Sequence, residues 1–548
     1  MTATETEVVW PQLEGFWNLD KMHAPRPITP LSYDVIVNTL TEGFTKAQAE
    51  YDCPIMVSYQ EVNHYFYVAF HPLPDETEIA DRMTRYHSSL AERVPTVGSR
   101  WENVWKPALI EKNYKLKTAE YDDFSNADLV AKLEEFTDYM RHMWWIHGHI
   151  NFVLLSSAAF CDMYDAVVQQ TDPTEAYQAL QGWHTRSVDA SRGLWTLSRV
   201  AKHSPVLKEL FANNDPKAVN AKLDETEEGL AFRKQLDEYL QEYGWRSDAV
   251  YDLADIPWRE DPSIPLSSIA SFINLDEKDD PEVLYQRGVK LREKLMAKAR
   301  DIMADDPDKL AQFNELYEAA KYSFPITEDH AFYIDQLGVG VFRRFVTAVG
   351  RRLVADGVFD DVEDAHMLYK AELIDALKNG GDRRGVIAER RASMTVAAAA
   401  DAPGYLGAPP PPADVPDPFM DALVVRLLGV TPPDENPDPL VVKGVAGSPG
   451  QYTGTARVVR SLSEAGDLED GEIMVCEMTL PPWTPMFSIA GAVVSDVGGV
   501  LSHCAIVARE FDIPAVVGSV FGTTAIKTGQ TITVDGTRGL VYLDGREL

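Results

Sequence analysis

Four cysteines in 548 residues (Cys53, Cys161, Cys476 and Cys504) are too few and too scattered for a disulfide framework or a paired thiolate metal site. They read as reduced thiols, and no metal is expected on the chain itself. Basic residues are also short: 51 Lys and Arg stand against 85 Asp and Glu, a formal net charge of -34. That balance argues against nucleic acid or an anionic membrane as a partner. No apolar run approaches the roughly 18 residues that cross a bilayer. The acidic opening Met1-Thr-Ala-Thr-Glu-Thr-Glu lacks a signal-peptide pattern. A Walker A loop is missing, and there is no internal repeat. These absences leave a cytoplasmic, soluble enzyme of roughly two to four domains as the expectation.

Proline is what the chain has in local excess. Residues 397–416 read Ala-Ala-Ala-Ala-Asp-Ala-Pro-Gly-Tyr-Leu-Gly-Ala-Pro-Pro-Pro-Pro-Ala-Asp-Val-Pro, and a second proline-rich stretch covers 431–439. Proline at this density sustains neither a helix nor an inner strand and favours extended polyproline II. About 15 such residues span on the order of 45 Å, the reach of a tether. Between the two stretches, residues 417–429 predict a short helix with Pro418 in its first turn and Gly429 past its end. The chain thus divides into a mostly helical part (1–395), a Pro/Ala-rich linker (396–440) and a C-terminal domain (441–548).

The C-terminal domain holds the most informative motif, Val497-Gly-Gly-Val-Leu-Ser-His-Cys-Ala-Ile-Val-Ala-Arg-Glu510. An apolar strand precedes it, Gly498 and Gly499 form a loop, and Ser502 is an N-cap. His503 then falls in the first turn of a helix, where free N–H groups and the dipole favour an anion. A histidine there either helps to cap the helix or carries a phosphoryl group, with Gly499 and Ser502 as phosphate contacts.

The motif, with Asp512-Ile-Pro-Ala-Val-Val-Gly518 after it, resembles the phosphohistidine signature of phosphoenolpyruvate-utilising enzymes and dikinases. Lys443-Gly-Val-Ala-Gly-Ser-Pro-Gly450 resembles the opening strands of that domain, and Thr479-Leu-Pro-Pro-Trp483 its Thr-x-Pro-x-Trp loop. The resemblance implies an α/β (β/β/α) swivelling domain that carries a phosphoryl group on His503 between two sites. Nothing in the chain resembles the nucleotide domain that loads such a histidine, or the barrel that binds phosphoenolpyruvate. The resemblance therefore implies a separate ATP-grasp subunit holding ATP and Mg²⁺, as in two-subunit phenylphosphate synthases, where ATP gives AMP and phosphate.

Residues 1–395 are mainly α-helical by periodicity, notably 129–152, 217–243 and 331–356. Residues 55–59 and 65–70 suit either two strands or aromatic helix segments. Residues 16–32, 243–262 and 332–353 resemble the helical acceptor-binding domain of rifamycin phosphotransferases and aryl-phosphate synthases. The second of these usually begins Gly-His-Arg; here Trp245 replaces the histidine and Arg246 remains. Phosphoryl transfer to a hydroxyl needs charge neutralisation and a base, because a free phenol, with a pKa near 10, is largely un-ionised at neutral pH. Arg246 and Arg343 are the candidate cations, unless they are structural ion-pair arginines. His330 ranks above His147 as base, and Asp329 beside it joins Trp145 and His147 as a candidate substrate contact. Trp145 and His147 sit on a helix rich in aromatics that either lines a phenol site or packs as core. The expected function is the carrier and acceptor-binding subunit of an ATP-dependent phosphotransferase for a small phenol. The alternatives are a rifamycin-type antibiotic phosphotransferase component, or a regulatory scaffold that kept the carrier fold.

Overall fold

Among the described residues, the strands form two separate sheets. The computed structural model describes residues 8–21, 23–408, 417–430, 438–462 and 464–546. It divides into two compact units: residues 1–151, 249–256 and 333–414 form one, and residues 152–248, 257–332 and 415–548 the other. This division differs from the one suggested by the linker, because the helices of 152–332 group with the C-terminal domain.

In the first unit, four antiparallel strands run in the order Ile55–Val62, Tyr65–Pro72, Phe16–Leu19 and Tyr405–Gly407. Of the two readings open for residues 55–70, strands are the one formed. Asn63 and His64 both have positive φ (51° and 65°), the turn that suits a two-residue hairpin. Helix Asn126–Ile150, started by a Ser125–Asp128 capping box, packs on helix Asn38–Glu50, which leads into strand Ile55–Val62, and helix Leu337–Ala355 packs on Asn126–Ile150 and Lys106–Thr118.

The linker is more structured at its start than its composition suggests. The alanine run completes helix Arg384–Ala399, alanine being the best helix former. Tyr405–Gly407 then pairs with Phe16–Leu19 rather than running free. The proline-dense residues 409–416 and 431–437, expected to form the tether, lie outside the described residues.

In the second unit, the periodic stretch 217–243 is two helices, Pro216–Lys222 and Glu227–Tyr243. They are separated because Thr226 caps the second through the Gly229 N–H. The C-terminal domain is an eight-stranded mixed sheet whose central strands Gln451–Val459, Ile473–Cys476, Ala492–Ser495 and Ala515–Val517 are parallel. Period-two alternation decides its two faces. Ile473, Val475, Ala492 and Val494 join one cluster with Ile532 and Val534. Met474, Cys476, Val493 and Ala515 face the other way, into a cluster shared with Trp195, Phe272 and Ile273 of the helices and with Phe487 and Phe511. Helical and C-terminal segments of this unit therefore have one continuous apolar core.

The stretch Asn126–Val168 is long and apolar enough, at a mean hydropathy of 1.2, to cross a membrane, which no uninterrupted apolar run suggested. Half of that window is buried inside the protein, as expected of core helices; Trp144, Phe152 and Phe160 within it are fully buried.

Candidate functional site

Strand Ala492–Ser495 leads into a loop that reverses at Gly498, whose φ of 116° excludes a side chain at low cost. Ser502 is extended, and its Oγ accepts the Ala505 N–H at 3.4 Å, starting helix His503–Glu510. His503 is the first helical residue, as the local sequence pattern implied. Arg509, one helix length on, braces the loop: its guanidinium donates to the carbonyls of Gly447 (2.6 Å) and Val500 (2.8 Å). Burial lowers its pKa to about 10.

The imidazole of His503 meets a carboxylate from the helical part of the same unit. Its Nδ1 lies 2.9 Å from Oε1 of Glu328, with the His503 side chain 10% exposed and Glu328 3%. Glu328 sits on helix Ser323–His330, and its Oε2 accepts the Ser187 hydroxyl at 2.7 Å. Burial by itself would raise the Glu328 pKa. The His503 charge and hydrogen bond, then Ser187 and His330, outweigh burial and hold it below its ordinary value. An ionised carboxylate only accepts, so Nδ1–H donates to it, and in the neutral tautomer that this bond selects the lone pair is on Nε2. That Nε2 is buried, with no hydrogen-bond partner among the described residues. The edge of Phe487 packs against the ring at 6.3 Å.

The neighbours of Glu328 divide the remaining roles. Asp329 accepts the backbone N–H of Arg186 at 2.9 Å, placing its charge at the start of helix Arg186–His203, where the dipole favours it. Nδ1–H of His330 donates to the Ile326 carbonyl at 2.8 Å. Arg246 is 1% exposed and gives its N–H groups to the carbonyls of Tyr243 and Arg186, both at 3.0 Å. The rings of Tyr243, Trp258 and Phe332 enclose it, and burial lowers its pKa to about 10. Those contacts fit a structural arginine. Trp245, where the family pattern has histidine, is buried under Arg259.

Trp145, His147 and Arg343 belong to the other unit. Trp145 donates to Glu50 at 2.9 Å and packs against His142 and His149. His147 stacks on Phe44 and lies 3.8 Å from Asp335. Arg343 makes a two-pronged ion pair with Glu363, both contacts 3.0 Å, and donates to the Leu253 carbonyl, again a structural role.

The expectation for Gly499 changes. Its N–H donates to the carbonyl of Leu427 at 2.7 Å, and those of Gly498 and Leu501 donate to Leu428 and Arg426. In this pose the loop serves the end of the linker helix rather than a phosphate. Ser187 and Glu510, which the sequence did not single out, complete the site with Glu328, which the sequence offered only as one polar group beside Asp329 and His330. Glu510 accepts the Gly182 N–H at 2.9 Å, and burial pushes its pKa up to about 7 against that bond, Arg509 and Arg292. Thr185, Ser187, Phe324, Glu328, Thr484 and Glu510 line a small cavity of about 10 Å³, room for a single water. The Thr327-Glu-Asp-His330 run was visible as a polar cluster. Which of its acids faces His503 depends on helix phase and packing.

These features define a chain with a phosphohistidine-type helix start held against a helical domain. Comparison with known proteins agrees. Residues 468–539 match the mobile domain of PEP-utilising enzymes, and residues 147–328 match the fourth domain of rifampicin phosphotransferase. The chain therefore has regions similar to two domains found in such phosphotransferases, as the resemblance implied. It is 32% identical to chondramide synthase cmdD of Chondromyces crocatus over 99% of the chain and 14% of that protein. It is 30% identical to the uncharacterized phosphotransferase YvkC of Bacillus subtilis, over 97% of the chain and 62% of that protein. With rifampicin phosphotransferase of Bacillus subtilis the identity is 26%, over 58% of the chain and 35% of that protein. The chain thus spans less than two thirds of each of these relatives.

Proposed function

We propose that this chain is the carrier and acceptor-binding part of an ATP-dependent phosphotransferase, with the phosphoryl group carried on Nε2 of His503. The observation that supports it most directly is the Nδ1–Glu328 bond, which leaves the nucleophilic lone pair on Nε2. In the loading step that lone pair takes the phosphoryl group, a P–N bond forms and the donor's P–O bond breaks. In delivery the P–N bond breaks, a P–O bond forms to the acceptor hydroxyl, and the hydroxyl proton goes to a base, for which His330 is our candidate. With Nδ1–H held by Glu328, the leaving group is a neutral imidazole rather than an imidazolate, a large gain in leaving-group quality. The ring needs no reorganisation, because packing already fixes it.

The donor is an ATP-grasp nucleotide site outside these 548 residues, which we propose to be a separate subunit holding ATP and Mg²⁺ in the cytoplasm. The acceptor is the hydroxyl of a small phenol such as a cresol. A larger rifamycin-type acceptor is the second reading, favoured by the match of residues 147–328 to a rifampicin phosphotransferase domain.

One experiment tests this reading. The chain, an ATP-grasp polypeptide and β-labelled ATP are incubated with a panel of phenols and rifamycins. The expected result is an acid-labile, base-stable label on the wild type, absent from His503→Ala, that moves to one class of acceptor. Label retained by His503→Ala would overturn the mechanism. Movement of the label to the rifamycins alone would replace the phenol reading.

A further inference from the structure

The segment 417–430 lies outside both matched domains, yet it touches each part of the second unit. We propose that its short helix is a fixed piece of the carrier, a clasp that travels with the phosphohistidine loop. When the carrier departs, the clasp's own contacts that part are those of Arg426 and Phe419 with the helical part. This rests on the carrier reading above.

On the carrier side the joint is made by backbone. The last carbonyls of a helix have no partner inside it. Here those of Arg426, Leu427 and Leu428 accept the N–H groups of Leu501 (2.8 Å), Gly499 (2.7 Å) and Gly498 (3.1 Å). Glycine on both sides permits the approach. A Cβ on Gly499 would lie 2.4 Å from the Arg426 oxygen, and one on Gly429 2.0 Å from that of Gly498. Gly429 has a φ of 72°, and Gly518, at 62°, would meet the oxygens of both Gly429 and Gly498 at 2.9 Å. Pulling this joint apart would strand three donors and three acceptors in a space shaped for each other.

On the helical side the contacts are made by side chains. Arg426 pairs with Asp162 at 2.8 Å and reaches the Tyr177 hydroxyl at 3.3 Å. Asp162 is 65% exposed, so the pair is screened and weak. Phe419 stacks on Phe152 with ring centroids 4.3 Å apart. Such contacts separate without any change in the backbone. The weaker seam therefore runs between the clasp and the helices, while the clasp stays with the loop.

The test uses the buried Nε2 of His503 as a reporter of undocking. Its modification by diethyl pyrocarbonate is followed by peptide mass spectrometry, alongside hydrogen exchange at the amides of Gly498, Gly499 and Leu501. Asp162→Ala, at an exposed position, is expected to raise the modification rate about two- to five-fold. Asp162→Ala with Phe419→Ala should raise it about ten-fold or more. The three amides should keep their wild-type protection in both variants. Amides that deprotect in step with His503 modification would show the helix staying behind, and would overturn the proposal. Unchanged modification in both variants would overturn it too, by placing the seam elsewhere. The urea dependence of the wild-type rate separates the two readings. If His503 reacts only through global unfolding, the carrier reading fails and the clasp with it.

Discussion

At the residue scale, the site reduces to one carboxylate facing one imidazole. Glu328→Gln retains volume and hydrogen bonding but removes the charge that favours a protonated Nδ1. We expect delivery from loaded His503 to slow roughly 10²–10³-fold, the range for losing one preorganised electrostatic partner, with folding preserved. Rapid-quench measurement of label leaving the protein checks this, and an unchanged rate would reduce Glu328 to a packing residue. Ser187→Ala removes only the bond that holds Glu328, worth about 1 kcal/mol, so a several-fold effect is expected. The direction with pH follows from Glu328's lowered pKa: its stabilising pair is complete above the ordinary glutamate value and is lost as pH falls through the lowered one. His503 was legible because its cues are local: a serine cap, two glycines and an apolar strand before them. Glu328 was not, because it lies 175 positions away along the chain.

At the scale of elements, helix His503–Glu510 carries the candidate histidine at one end and a pH-sensitive contact at the other. Burial raises Glu510 from its ordinary value to about 7. A raised carboxyl favours the packed state when protonated, so its contribution is complete below about 4.5, declines as pH rises, and is gone above about 7. Replacing it with the uncharged Glu510→Gln should flatten the stability profile between pH 5 and 7.5. Thermal unfolding of wild type and variant across that range measures the difference; parallel profiles would contradict it. The linker makes the same point about local and distant information. Its alanines read correctly as helix formers only once helix Arg384–Ala399 is in view. Tyr405–Gly407 becomes a strand because Phe16–Leu19 offers an edge, which composition cannot reveal.

At the scale of the whole molecule, the C-terminal domain and the helices of 152–332 share one apolar cluster, with Trp195 and Phe272 against Met486, Phe487 and Phe511. Such packing is closer to a divided core than to a surface contact. A chain ending at residue 440 should therefore expose that surface, bind a hydrophobic dye strongly and melt several degrees lower. Unchanged dye binding and melting would mean that the helices complete their core alone.

The sequence by itself determined the local setting of His503: strand, glycine loop, serine cap and histidine follow one another within a dozen residues, and short-range backbone rules suffice to read them. It also determined the helical character of the rest, because helical periodicity is a local property. Only the tertiary structure decided what faces His503, that the loop's N–H groups serve a linker helix, and that Arg246 and Arg343 are committed to structural partners. Each of those depends on which distant surfaces pack together. Packing is settled by the shape and burial of whole elements, which no stretch of neighbouring residues contains.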